Sequence, residues 1–329
     1  MIRSTQWVGM IAVAAAIIGC DSSEETDDSL DQAGTADDQE ADASDSADPL
    51  AGIVDASEDS SSDSPDNASL GLEGNEVITG CTGSFPEGRM VLEHGRTISP
   101  AITNDRLELF YVQGEPTEER FYVTRRATPQ DSFEPGELVT TLNSVCSEGQ
   151  ELSIDISGDG LRAYVACHDD IDTLAEFYVA TRTERTDSFG EPLSLGTHAA
   201  SFSVAYDELS AYGTLYYSGD ATLFSSRDDL TATFGAPSPA SGLESAPLIA
   251  PALSPDGLSL YGALDGKLQV ATRDTLDSPF GTPVPIFGEG VVAGGPDMAG
   301  DCRHMVYVTY GGADENLRYM ISETERPLD

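Results

Sequence analysis

The chain has 329 residues, of which 58 are aspartate or glutamate and only 16 are lysine or arginine, so its formal net charge at pH 7 is −42. Nucleic acids and anionic membrane surfaces are bound through clusters of cationic side chains, and this composition excludes both as partners. Lysine occurs only as Lys267, so arginine supplies nearly all of the positive charge.

Residues 1–19 are predicted to be an export signal peptide. Arg3 provides a positive start and Val8 to Ile18 an apolar centre, which is too short to cross a bilayer as a helix. The ending Ile-Ile-Gly-Cys20 resembles the lipobox of bacterial lipoproteins, and the resemblance implies cleavage before Cys20 and lipidation of that residue. The alternative is an ordinary signal peptide with a cysteine there by chance. A lipoprotein is expected in the bacterial cell envelope, periplasmic or at the outer membrane or surface, and held to the membrane by its lipid anchor.

Residues 20–76 are predicted to be the lipidated cysteine followed by a disordered acidic tether. From Asp21 to Glu76 there are 19 acidic residues and no basic ones, and most of the others are small or polar. Such a segment cannot bury enough apolar surface to offset the entropy lost on ordering, and its charges repel one another.

Residues 77–329 contain a sequence that recurs five times. Four copies carry an arginine followed seven positions later by a phenylalanine, and these phenylalanines are 56, 45 and 46 residues apart. This period is typical of β-propeller blades. The pairs are Arg126 and Phe133, Arg182 and Phe189, Arg227 and Phe234, and Arg273 and Phe280.

The fourth copy shows how one blade is built. An apolar run at 249–253, the turn Ser-Pro-Asp-Gly at 254–257, an alternating strand, the hairpin Asp265-Gly266, a third strand and a proline-bearing outer strand make four strands in about 46 residues. The run Ser-Pro-Asp-Gly-Leu-Ser-Leu-Tyr261 resembles the TolB-like, WD-related propeller repeats of exported bacterial proteins. The resemblance implies a propeller used mainly as a binding surface.

The predicted fold is an all-β propeller of five four-stranded blades, with six blades as the alternative. The fifth copy stops after its third strand, whereas Gly83 to Leu92, ahead of the first copy, is similar to an outer strand. This N-terminal segment is therefore expected to close the ring by completing the last blade. A sixth blade would have to come from the acidic tether.

Four cysteines remain after Cys20, and an even number in an exported chain indicates disulfides, with three possible connectivities. Ring closure favours Cys81 with Cys302, on turns at one rim of the last blade, and Cys146 with Cys167 near the opposite rim of blade 2. The cysteine and histidine spacings match no zinc site, and no metal or cofactor is expected.

Two inner-strand aspartates are the candidate ligand site. Asp155 and Asp297 stand where other copies have alanine or serine, so they are expected at the propeller axis, where they could bind a cation or a small ligand. The recurring arginines could bind anions, but hydrogen bonding between blades is the favoured interpretation. The turn aspartates are interpreted as turn formers. No catalytic motif is present, and no catalytic residue is proposed.

Two function classes follow. The favoured one is a monomeric, non-enzymatic binding scaffold whose partner is an unknown protein or small ligand on one propeller face. The alternative is a five-bladed carbohydrate-active enzyme, a glycoside hydrolase or lyase working through axial carboxylates. Sugar-active propellers usually carry aromatic platforms, and the only tryptophan, Trp7, lies in the signal peptide.

Overall fold

The computed structural model describes residues 81, 85–93, 96–115, 118–168, 173–215, 221–287, 293–311 and 318–327. The signal peptide, Cys20 and the acidic tether lie outside the described residues, so the expectations for them and for the domain boundaries stay predictions. Within the described ranges, no helix is long and apolar enough to cross a membrane.

The described residues form a five-bladed β-propeller of four-stranded antiparallel blades, which confirms the predicted fold. A single turn of 3-10 helix, Leu142–Ser144, precedes blade 2. From the axis outward, the strands are β2 (Thr97–Ile102), β3 (Glu108–Gln113), β4 (Arg120–Arg125) and β5 (Glu137–Leu138) in blade 1; β6 (Glu151–Ile156), β7 (Arg162–His168), β8 (Ala175–Thr181) and β9 (Leu193–His198) in blade 2; β10 (Ser201–Val204), β11 (Ser210–Thr214), β12 (Thr222–Ser226) and β13 (Ser238–Pro239) in blade 3; β14 (Ile249–Leu253), β15 (Ser259–Leu264), β16 (Lys267–Thr272) and β17 (Val284–Pro285) in blade 4; and β18 (Ala293–Met298), β19 (His304–Gly311), β20 (Arg318–Glu325) and β1 (Arg89–Glu93) in blade 5.

The core is divided into five apolar layers, one between each pair of neighbouring blades. The second strand of each blade is buried on both faces, which explains its continuous apolar sequence. Strand β3, for example, buries five of its six residues, Glu108 among them. A blade therefore cannot bury its apolar faces alone, and each blade needs both of its neighbours to cover them.

Every blade passes from its first to its second strand through the same turn. The turn aspartate accepts the backbone N–H two residues further on, and the residue after the aspartate adopts a left-handed φ of 56° to 76° in all five blades. These hydrogen bonds within the turn confirm that the aspartates are turn formers. The aspartates are Asp105, Asp159, Asp207, Asp256 and Asp301.

The N-terminal strand closes the ring as predicted. Strand β1 pairs with β20 and completes blade 5, with Arg89 opposite Glu323. The Cys81–Cys302 disulfide joins the closing segment to the turn of the same blade, with the two Cα atoms 4.9 Å apart. The Cys146–Cys167 disulfide, with its Cα atoms 5.5 Å apart, is also present. Both predicted pairings are therefore found.

A buried histidine in the outer part of blade 2 predicts acid sensitivity. His198 is fully buried, with ring centroids 5.7 Å from Phe177 and 6.3 Å from Phe234. Burial lowers the pKa of His198 from 6.5 to about 4, against a smaller opposing effect of the Ala211 and Ala199 backbone. The unfolded chain therefore binds a proton on this group at a higher pH than the folded chain does.

The free energy of unfolding should consequently lose a His198 contribution as pH falls from about 6.5 to about 4, by about 2 kcal/mol at pH 5. Urea denaturation at pH 7.5 and pH 5 measures this loss. In His198→Phe, and in His198→Leu as a second variant in case phenylalanine does not fit, the pH-dependent loss should shrink by that amount. An unchanged pH dependence in both variants would contradict the assignment.

Candidate functional site at the propeller axis

One position on each inner strand faces the axis midway along its length. It holds alanine, aspartate, serine, alanine and aspartate in blades 1 to 5. The structure brings the two predicted ligand residues, Asp155 and Asp297, together here, since both line the same two small axial cavities along with Ser203. The five residues are Ala101, Asp155, Ser203, Ala252 and Asp297.

The two aspartates bind backbone amides. The Asp155 carboxylate accepts the N–H of the next residue, Ile156, at 2.7 Å and the N–H of Val204 in blade 3 at 2.6 Å. The Asp297 carboxylate of blade 5 also accepts an amide of the next blade around the ring, the N–H of Ile102 in blade 1, at 2.6 Å.

The alternation of residue types around the axis follows from this amide binding. Asp297 also accepts the N–H of its own neighbour Met298, and the Ser203 hydroxyl accepts the N–H of Leu253 at 3.1 Å. Alanine in blades 1 and 4 offers no acceptor, and the aspartate of the following blade accepts a second amide in its place. Three polar side chains thus satisfy five buried amides, which would otherwise be costly to bury.

Both axial carboxyls resist ionisation. Burial raises the pKa of Asp155 to about 6, and the charge of Glu208 raises it as well, against the lowering effect of the amide hydrogen bonds. Burial also raises the pKa of Asp297 well above its usual range, and the nearby Asp155 raises it further. Both pKa values are therefore shifted upward, as those of catalytic acids often are.

The space around the aspartates is small. The cavity at the end where the inner strands begin, which we call the bulge mouth, measures about 80 Å³, and the cavity at the turn end, the turn mouth, measures about 40 Å³. Pockets for organic ligands are typically about 300–1,000 Å³. The axis therefore has room for a few water molecules or an ion.

The two mouths are built differently. At the turn mouth, the Asn104 amide donates to the Tyr206 hydroxyl at 2.8 Å across the axis. Glycine at 158 and 300 makes room for Asn104, since a Cβ at either position would lie within 2.4 Å of its amide. The turn mouth is therefore narrowed by a side-chain bridge from blade 1 to blade 3.

At the bulge mouth, three inner strands carry a β-bulge just before a proline. The bulged residues Ser99, Ala250 and Gly295 all have a left-handed φ near 50°. Bulges of this kind bend a strand and redirect its backbone. The bulge mouth is accordingly wider, and its walls include the apolar side chains of Ile154 and Phe202.

The recurring arginines lie between blades, which confirms the inter-blade interpretation in place of an anion-binding ring. Each guanidinium lies 4.3–4.8 Å from the centroid of the phenylalanine seven residues on, and its Nε–H donates to a carbonyl of the turn. Other N–H groups reach the preceding blade. Arg126, for example, binds Glu323 with two hydrogen bonds of 2.7 and 3.0 Å.

The fifth pair is formed from the two ends of the chain. Arg326 lies 4.6 Å from the ring centroid of Phe85, in the closing segment. Its guanidinium also donates to the carbonyl of Cys81 at 3.0 Å and contacts the Tyr261 hydroxyl of blade 4. A seven-residue spacing could not reveal this pair, because the chain passes around the whole ring between its members.

Three buried glutamates, which the sequence did not single out, bind arginines between the blades. Glu108, Glu208 and Glu323 are 3%, 7% and 7% exposed. Arg182 and Arg125 bind Glu108, and Arg162 and the Tyr164 hydroxyl bind Glu208. The only sequence signal was an acidic residue next to an otherwise apolar run.

One cluster of possible metal ligands occurs elsewhere among the described residues. Asp256 lies beside Cys81 and Cys302, but both sulfurs are bound in the disulfide, so only the carboxylate could serve as a metal ligand.

No model of a known protein family matches the sequence, and no curated protein matches it. Solved structures share its fold. The structure of this chain is similar to that of a GH43 β-xylosidase/α-arabinofuranosidase from a compost microbial metagenome (TM-score 0.51, 12% identity, 74% of this chain and 95% of that chain covered). It is also similar to an exo-1,5-α-L-arabinanase from a bovine ruminal metagenomic library (TM-score 0.50, 12% identity, 74% and 97% covered).

TolB from Acinetobacter baumannii is a third structural neighbour, with a TM-score of 0.42 and 15% identity over 69% of this chain. The matched region spans 54% of the TolB chain. The likenesses to the β-xylosidase/α-arabinofuranosidase and the arabinanase show the propeller fold alone.

Proposed function

We propose that the protein is a lipid-anchored envelope protein whose propeller binds an extracytoplasmic protein or small ligand and catalyses no reaction. The observation that carries this proposal is the use of the axial carboxylates. Asp155 and Asp297 hold the backbone amides of neighbouring blades, and the cavities beside them are far smaller than typical pockets for organic ligands. Larger spaces, of about 300–400 Å³, lie between blades at the surface.

The alternative function is glycoside hydrolysis or a lyase reaction at the axis. It is favoured by one specific observation, the pair of buried carboxyls with raised pKa values. The scaffold proposal predicts that the purified protein releases no reducing sugar from arabinan or xylan oligosaccharides above an enzyme-free blank. Release by the parent protein would contradict the proposal. Loss of that release in Asp155→Asn/Asp297→Asn would identify the axis as its source.

The envelope location is supported by the two disulfides, which persist in oxidising compartments. The lipid anchor rests on Cys20 at the end of the apolar segment. Cys20→Ala is expected to move the protein from the detergent phase to the aqueous phase, or to leave it unprocessed, because no acyl chains can be attached. Triton X-114 partitioning and the mass of the N-terminal peptide measure this. Unchanged detergent partitioning of the variant would contradict the lipoprotein proposal.

A further inference from the structure

We call the interface between two neighbouring blades a seam. The five seams can be compared directly on the rim that carries the turns between first and second strands, because the blades repeat the same positions. At the seam between blades 1 and 2, Arg185 from the loop of blade 2 binds the turn aspartate Asp105 of blade 1 and donates to the Asp159 carbonyl at 2.7 Å. At the seam between blades 2 and 3, Arg162 binds the buried Glu208. Charged pairs close both seams.

The two seams beside the ring closure are also bridged by polar contacts. Between blades 5 and 1, Arg106 binds His304, whose other ring nitrogen binds Asp301. Between blades 4 and 5, the Cys81 N–H donates to Asp256 at 2.9 Å, and Arg326 binds the carbonyl of the same cysteine.

The seam between blades 3 and 4 is different. Leu276 stands at the loop position of Arg185, and Asp207 stands at the turn position of Asp105, so the ion pair of the first seam is replaced by a leucine beside a carboxylate. No ion pair spans this seam among the described residues. An open groove of about 300 Å³ lies here instead, which we call the 3/4 groove.

The walls of the 3/4 groove are apolar and partly exposed. Leu276 is 61% exposed and Tyr206 is 48% exposed, and the rings of Tyr212 and Phe224 lie behind them. Tyr206 is held in place by its hydrogen bond to Asn104. Clustered exposed apolar side chains on a soluble surface are typical of interaction sites.

The 3/4 groove is lined by two carboxylates, Asp207 and Asp256, and one guanidinium, Arg273, so the net charge of its lining is negative. Asp207 is exposed and, among the described residues, accepts only the N–H of Leu209 within its own turn. Arg273 also lines the groove, but its guanidinium donates to the carbonyls of Gly257 and Leu276 at 2.8 Å. A groove with apolar walls and an unpaired carboxylate complements a side chain with an aliphatic stem and a cationic head.

We propose that the 3/4 groove docks a short segment of a partner protein in which lysine or arginine is flanked by aliphatic side chains. The inference rests on the proposed binding function and names its surface and the chemistry of its partner. The rest of the chain favours the same partner, since residues after Glu76 include 39 acidic and 15 basic residues. Such a field attracts cationic segments and speeds their association.

The test uses the detergent-solubilised, full-length mature protein and the fluorescent peptide acetyl-Leu-Lys-Leu-Lys-Leu-amide, with the same peptide carrying glutamate in place of lysine. Leu276→Arg should install the ion pair that closes the first seam, fill the groove and weaken binding of the lysine peptide about tenfold or more. Asp207→Asn should weaken it by a similar factor. Leu230→Arg is the matched control at the same loop position of blade 3, and it should leave the affinity unchanged.

Three outcomes would overturn the inference. The lysine peptide could fail to bind, the glutamate peptide could bind equally well, or the parent and Leu276→Arg could bind the lysine peptide with equal affinity. A peptide that binds with no dependence on Leu276 or Asp207 would leave the binding scaffold standing and remove the 3/4 groove. Glycan cleavage in the separate assay would instead remove the scaffold proposal. A gain in melting temperature of Leu276→Arg would show that its loss of binding does not come from unfolding.

Discussion

Replacing both Cys81 and Cys302 by alanine is expected to lower the free energy of unfolding by about 5 kcal/mol, since this disulfide closes a loop with a sequence separation of 221. The cross-link restricts the unfolded chain most when the loop is longest. It also holds the closing strand β1 on blade 5, so its loss should expose the edge of β20. Urea denaturation, with aggregation followed by light scattering, measures both effects.

The second disulfide is the control for loop length. Cys146→Ala/Cys167→Ala opens a loop with a separation of only 21, and the same model gives a loss of about 3 kcal/mol. A larger loss for the short loop than for the long one would contradict the closure argument. A fragment that begins at Ile98 and still unfolds cooperatively as a soluble monomer would also contradict it, because that fragment lacks β1.

Arg126→Ala is expected to cost about 3–5 kcal/mol, because it leaves the carboxylate of Glu323 buried without its main partner. The side chains of Arg126 and Glu323 are 0% and 8% exposed, and their ion pair links blade 1 to blade 5. Burial alone would raise the pKa of Glu323, but the guanidiniums of Arg126 and Arg89 outweigh it and hold the pKa below its usual value. The stability that the pair contributes is therefore present above the pKa of the unfolded glutamate and is lost as pH falls through the lower folded pKa.

Two variants make the Arg126 prediction specific. Arg120→Ala removes a surface pair in which Glu148 is 92% exposed, so its cost should stay below about 1 kcal/mol. Arg126→Met/Glu323→Leu removes both charges together and should recover most of the loss. A cost in Arg126→Ala no greater than in Arg120→Ala would show that the buried pair does not hold the seam.

Local sequence patterns were sufficient for the blades. The turn aspartates recur because each one satisfies amides within its own turn, and the apolar second strands recur because both of their faces are covered. Such contacts connect residues close in sequence or at equivalent places in each repeat. The ring closure could also be predicted, since a fifth copy without an outer strand must find one at the other end of the chain.

The groups between blades could not be predicted in the same way. The acid at 155 was recognised as axial, but its role as acceptor for the Val204 amide depends on the register between two blades. The pairing of Arg326 with Phe85 and the buried position of Glu323 depend on the same register.

The sequence by itself determined the number of blades, the order of their strands, the closing segment and both disulfides, because these follow from a repeat and its missing part. Only the tertiary structure decided what the seams and the axis do. Whether a carboxylate binds an amide or an arginine depends on which group the neighbouring blade places opposite it. Asp105 binds Arg185 across its seam, whereas the equivalent Asp207 lines the same groove as Leu276.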